Sequence, residues 1–76
     1  MTYRTRVYNS PEMINLWAWS RQFQGDPGYM HMDLQIMRRE RAIREEVERM
    51  GGRWTRQGNF AFSTREAMVA FRMKWG

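Results

Sequence analysis

Residues 51–76 read GGRWTRQGNFAFSTREAMVAFRMKWG and predict a β-hairpin that runs directly into a capped helix. Two short runs in this segment are rich in aromatic and β-branched residues, which suit strands with one buried face. A three-residue loop at 57–59 places Trp54 opposite Phe62, and it puts both rings on the same face as Phe60. We therefore expect these three rings to form the buried side of a sheet.

The helix that follows the hairpin has a clear start and one apolar side. Ser63 as N-cap and Glu66 three residues later form a predicted capping box, in which each side chain satisfies a free backbone donor. The apolar residues of this helix recur at helical spacing and are Ala67, Met68, Phe71 and Trp75. We expect this stripe to cover the ring face of the hairpin.

The N-terminal segment 3–8 alternates like a strand. Its two predicted faces are Tyr3, Thr5 and Val7 on one side and Arg4, Arg6 and Tyr8 on the other. Two helices follow, one running from an N-cap at Ser10 to about residue 23 and one covering 33–50. The predicted order is β-α-α-β-β-α in a single domain, residues 1–76. This order indicates a small two-layer α+β fold, with a three-stranded antiparallel sheet packed on helices.

The first helix has more aromatic residues than one buried side can hold. Trp17 shares the core stripe, whereas Trp19 lies about 200° away on a helical wheel of ~3.6 residues per turn. We therefore expect Trp19 to face solvent or a partner, together with Phe23. The apolar loop after this helix extends the same surface. The predicted partner-binding residues are Trp19, Phe23, Tyr29 and Met30.

The net charge of +5 is not on the Arg-rich helix. Residues 38–50 contain five Arg and four Glu, whose i,i+4 spacings predict a solvent face of ion pairs. The excess charge therefore lies on the strands and the last helix. A polar outer sheet face with cations and one ring suits phosphates and bases. The predicted nucleic-acid-binding residues are Arg4, Arg6, Tyr8 and Arg53.

Composition argues against several classes of function. The chain has no Cys and a single His, so a disulfide or a structural zinc site is not expected. His31 lies near Asp26 and Asp33 in sequence, but no nucleophile accompanies this trio. We expect a non-enzyme without cofactor or metal. No apolar run reaches membrane-spanning length and no signal-peptide pattern opens the chain, so we expect a soluble intracellular protein with no membrane partner.

Both ends of the chain resemble small bacteriophage proteins of unassigned function. The similar segments are RVYNSPE at 6–12 and the pattern FxFxxxxAxxxFxxKWG at 60–76. The resemblance implies a phage-type accessory protein in the host cytoplasm that binds and modulates a host macromolecule, with no catalytic residues to transfer. A host protein complex, bound through an aromatic and Arg surface, and a nucleic acid have nearly equal support. The remaining alternatives are a virion-associated structural protein and a homo-oligomer.

Overall fold

The predicted β-α-α-β-β-α order is confirmed. A computed structural model describes residues 2–26, 28 and 31–76 of the protein. The three strands found there form an antiparallel sheet in the order β1-β3-β2, and the helices cover one of its faces. The elements are β1 (Tyr3–Arg6), α1 (Pro11–Trp19), a 3₁₀ segment (Ser20–Phe23), α2 (Met32–Arg49), β2 (Gly52–Trp54), β3 (Asn59–Phe62) and α3 (Arg65–Trp75).

The hairpin has a three-residue loop, but the loop is 56–58 and not 57–59. The amide of Thr55 donates to the carbonyl of Asn59 at 2.8 Å, and Trp54 pairs with Phe60 instead of Phe62. The reason is Gly58, whose φ of 83° supplies the left-handed residue that ends such a loop. The predicted register is therefore wrong, because each residue of β2 pairs with a residue of β3 two positions before the predicted one. The predicted face is right, because a shift of two residues keeps every side chain on its own side.

The core lies between the ring face of the sheet and the last helix. Phe60, Phe62 and Phe71 are fully buried, and the Phe71 ring centroid lies 5.0 Å from each of the other two. Trp75 is buried beside them, while Ala67 and Met68 pack partly buried against the same cluster. The apolar stripe predicted for α3 is confirmed.

The N-cap of α3 is Thr64, not Ser63. The Thr64 hydroxyl accepts a hydrogen bond from the backbone N–H of Ala67 at 3.1 Å, and the Thr64 backbone is extended. Because the helix begins one residue later than predicted, Glu66 is not in the capping-box position. Its negative charge lies instead in the first turn, where the helix dipole favours it.

Polar contacts tie the helices to one another. The Arg39 guanidinium lies 3.8 Å from the Trp17 ring centroid and donates to the Trp17 carbonyl at 2.6 Å and the Ser20 hydroxyl at 3.0 Å. Burial and the nearby charge of Arg21 lower the pKa of Arg39. These contacts fix α2 across the end of α1 and stabilise its position at a point where the first helix tightens into the 3₁₀ segment.

The buried carboxylate of Glu46 joins α2 to α3. Its two oxygens accept from Arg49 at 2.7 Å and from Lys74 at 2.8 Å. A second link, between Glu12 and Arg72 at 3.4 Å, joins α1 to α3. Both carboxylates are nearly excluded from water, so their charges need these partners.

Gly52 allows β2 to approach the ring of Phe62. A β-carbon at this position would come within 2.6 Å of Phe62 Cδ1 and 2.9 Å of the Ala61 carbonyl oxygen. We therefore expect Gly52→Ala to lower the free energy of unfolding by about 1–3 kcal/mol, because Phe62 is held by Phe71 and cannot move freely. Urea melts measure this change, with the exposed Ser63→Ala as the control. A melt that matches the wild type would contradict the close approach.

Candidate functional site

The outer face of the sheet carries three exposed Arg side chains. One cross-strand row places Ala61 between Arg4 of β1 and Arg53 of β2. The neighbouring row places Arg6 opposite Asn59. Strands lie about 4.8 Å apart, so the backbones of Arg4 and Arg53 are separated by about 10 Å across the sheet. Arg4 and Arg6 are separated by about 7 Å along their strand.

The strand positions that share this face carry no carboxylate, and Glu12, which lines the hollow at the end of β1, is buried and paired with Arg72. The outward positions of the three strands are Arg4, Arg6, Arg53, Asn59 and Ala61, none of which is acidic. Among the ion pairs that the described residues form, none involves these three Arg. The acidic residues of the helices neutralise cations elsewhere. The sheet face therefore concentrates positive charge that has no partner within the described part of the chain.

The ring of Tyr8 extends this face at the end of β1. It is 77% exposed, and it lies with Arg4 and Arg6 around one surface hollow. Asn9, at a φ of 55°, turns the chain from this edge into α1. Three of the four residues predicted to bind nucleic acid thus line one depression, whereas Arg53 lies across the sheet on the opposite edge strand.

Arg72 also lines the hollow, and the sequence analysis missed it. It belongs to the last turn of α3. There it forms an ion pair with Glu12, a contact between residues 60 positions apart in sequence. No local pattern could have indicated that contact.

The sequence predicted that Trp19 faces solvent or a partner, but only part of its side chain reaches the surface. It is half-buried, and its ring meets Trp75 edge-on at 5.3 Å and Phe23 at 5.1 Å between centroids. The C-terminal end of α3 supplies this second buried contact, which a wheel drawn for α1 alone does not contain. Phe23 is 39% exposed. Tyr29 and Met30, the other predicted partner-binding residues, lie outside the described residues.

Trp19 and Phe23 nevertheless lie in a groove between the 3₁₀ segment and α2, which we call the aromatic groove. Its lining residues are Trp19, Phe23, Arg38, Arg41, Ala42, Glu45 and Arg49. The sequence did not predict that the pair Trp19 and Phe23 lies beside this side of α2. The structure brings an apolar floor and a charged rim together.

The Arg side chains of α2 mostly form contacts other than the predicted i,i+4 ion pairs. For residues the structure describes, one of the four expected i,i+4 pairs is formed, between Arg41 and Glu45 at 3.5 Å. Arg44 instead lies 5.0 Å from the Trp54 ring centroid, and Arg49 pairs with Glu46 one turn away. Contacts with rings and with a buried carboxylate replace the exposed pairs, which contribute little in water.

His31 acts as the N-cap of α2. Its Nδ1 accepts from the backbone N–H of Asp33 at 3.3 Å, and the side chain is largely exposed. In the described ranges, no three potential metal ligands of the His, Cys, Asp or Glu type cluster together. None of the helices described combines the length and apolar composition that a membrane span requires. The expectation that the protein is not an enzyme stays a prediction.

No family model, curated protein or solved structure matches this chain. The resemblance of its two ends to small bacteriophage proteins therefore stays a prediction. Two surfaces of the protein bear on its function, the outer sheet face with Arg4, Arg6 and Arg53 and the aromatic groove.

Proposed function

We propose that this protein is a non-enzymatic binding protein that holds nucleic acid on the outer face of its sheet. The observation that carries the proposal is the set of exposed, unpaired Arg side chains on a face whose strand positions carry no carboxylate. Two groups that could otherwise neutralise the charge, Glu12 and Glu46, are buried and paired with cations of the helices. A polyanion is the ligand that this distribution favours.

The arrangement suits contact with the phosphate backbone. Arg4 and Arg6 present two guanidinium groups along one strand, and Arg53 presents a third on the other edge. Each guanidinium can bind a phosphate with two parallel hydrogen bonds. The exposed ring of Tyr8 lies beside Arg4 and Arg6, where an unpaired base can stack on it. Phosphate contacts carry no sequence information, so we expect weak sequence preference. Because only an unpaired base can stack on Tyr8, we also expect a preference for single strands.

The test removes the three charges together. We expect the triple variant Arg4→Ala, Arg6→Ala, Arg53→Ala to bind a labelled single-stranded oligonucleotide more weakly, because three phosphate contacts are lost. Each lost contact lowers the slope of log K against log salt by about 0.7 on a single strand, so the slope falls by about 2. Fluorescence anisotropy over a series of salt concentrations measures both quantities.

The matched control removes the same charge from the helices. Arg21, Arg41 and Arg65 are exposed and lie away from the sheet face, so their combined change to Ala lowers the net charge equally. We expect the control to keep most of the affinity and of the slope. Equal loss in both triple variants, or no binding by the wild type, would contradict the sheet face as the interface.

A protein partner is the second candidate. The observation that favours it is the aromatic groove, in which partly exposed rings lie beside Arg side chains, the residue types enriched at the centres of interfaces. Four further possibilities rest on the resemblance and on composition alone. They are a host protein complex as the target, a role in the host cytoplasm, a virion-associated role and self-association.

A further inference from the structure

The aromatic groove has about the length of a short extended peptide. Its α2 side is formed by one helix face, on which the lining positions run from Arg38 to Arg49. Eleven helical steps of about 1.5 Å make this face about 16 Å long. An extended chain advances about 3.3 Å per residue, so about five residues would span the groove.

The floor of the groove is apolar and held in place from below. Phe23 contacts the edge of Trp19 at 5.1 Å between centroids, and Trp19 in turn packs on the buried Trp75. Ala42 of α2 is buried and adds a small apolar side chain to the lining. Because these rings are already fixed by packing, an apolar side chain that covers Phe23 would order few additional groups on binding.

The rim selects for negative charge. Of the described residues that line the groove, three are Arg and one is Glu. The pair between Arg41 and Glu45 spans 3.5 Å with both side chains more than half exposed, so it is weak and can exchange for a ligand carboxylate. Glu46 beneath the rim is shared between Arg49 and Lys74, so one buried carboxylate faces two cations there.

We infer that the aromatic groove binds a short, extended, acidic peptide segment of a partner protein, with one apolar or aromatic side chain placed on Phe23. The inference rests on the second candidate function and gives that partner its chemistry. It is independent of the sheet face, because the groove belongs to the end of α1, the 3₁₀ segment and α2, whereas the Arg face belongs to the strands.

An array of random-sequence heptapeptides, probed with the labelled full chain, tests the inference. We expect the bound peptides to be enriched in Asp and Glu around a single aromatic or leucine position. The strongest of them, measured in solution, should lose affinity about tenfold or more with Phe23→Ala and with Arg41→Ala. The matched controls Met73→Ala and Arg56→Ala remove an exposed apolar side chain and an exposed Arg elsewhere, and they should bind as the wild type does.

The position of the variants that lose peptide binding decides whether the inference holds. Absence of acidic enrichment, or equal loss in the control variants, overturns the inference. If Phe23→Ala unfolds, the exposed Arg41→Ala still decides the result. The triple variant of the sheet face separates the two proposals, since it should lose the oligonucleotide and keep the peptide. Loss of the peptide in that variant would instead assign the acidic preference to the sheet and leave the nucleic-acid proposal standing.

Discussion

We expect Phe71→Ala to lower the free energy of unfolding by about 3–5 kcal/mol. Phe71 is fully buried, and its ring is wedged between the rings of Phe60 and Phe62. Truncation removes the ring contacts of α3 with Phe60 and Phe62 and leaves a cavity that the paired strands cannot easily close. A domain of this size has roughly 5–10 kcal/mol of stability, so the variant should lose about a third of it or more.

Urea melts followed by circular dichroism measure this loss. The control is Met73→Ala on the same helix, where the side chain is 81% exposed and the change should stay within about 0.5 kcal/mol. A cost below about 1 kcal/mol for Phe71→Ala would mean that the ring does not hold α3 on the sheet.

The elements themselves could be predicted because each depends on a local period. Alternation along β1 separates Tyr3 and Thr5 from Arg4 and Arg6, and the strand has those two faces. A four-residue step from Phe71 to Trp75 predicts one buried side of a helix, and both residues are buried there. Such periods survive in the structure because the sheet and the helices each have one buried side.

The hairpin register could not be derived from the same periods. Pairing Trp54 with Phe60 or with Phe62 keeps all three rings on one face, so burial does not distinguish the two alternatives. The choice depends on which residue takes the left-handed conformation that ends the loop, and Gly58 takes it at the lowest cost. The cap of α3 differs by one residue for a similar reason, since Ser63 and Thr64 carry the same chemistry.

At the candidate sites, residue spacing alone is not sufficient to predict the partners of the Arg side chains. On the sheet, alternation correctly predicted that Arg4, Arg6 and Arg53 share the exposed face, but their lack of carboxylate partners is a property of the folded chain. On α2, spacing predicted exposed ion pairs, two of which involve Arg44. Arg44 contacts the ring of Trp54 in β2 instead, a contact that becomes available only after folding.

Trp19→Ala should lower the free energy of unfolding by about 2–4 kcal/mol, somewhat less than truncation of a fully buried tryptophan. The helical wheel of α1 predicted the opposite, a ring that could be removed without loss of stability. The structure places Trp19 on Trp75, so its removal exposes a buried residue of α3 and takes away the support of Phe23. A neighbouring change, Phe23→Ala, should cost only about 1 kcal/mol because that ring is already 39% exposed.

Melting both variants under one condition decides which role Trp19 has. If Trp19→Ala is destabilised by more than Phe23→Ala, the ring is part of the core and supports the floor of the aromatic groove. A Trp19→Ala variant as stable as the wild type would mean that the contact with Trp75 contributes nothing to folding, and it would return Trp19 to the role of a ring kept for a partner. The second result would also weaken the peptide inference, because a floor that is not anchored on Trp75 would have to be ordered during binding.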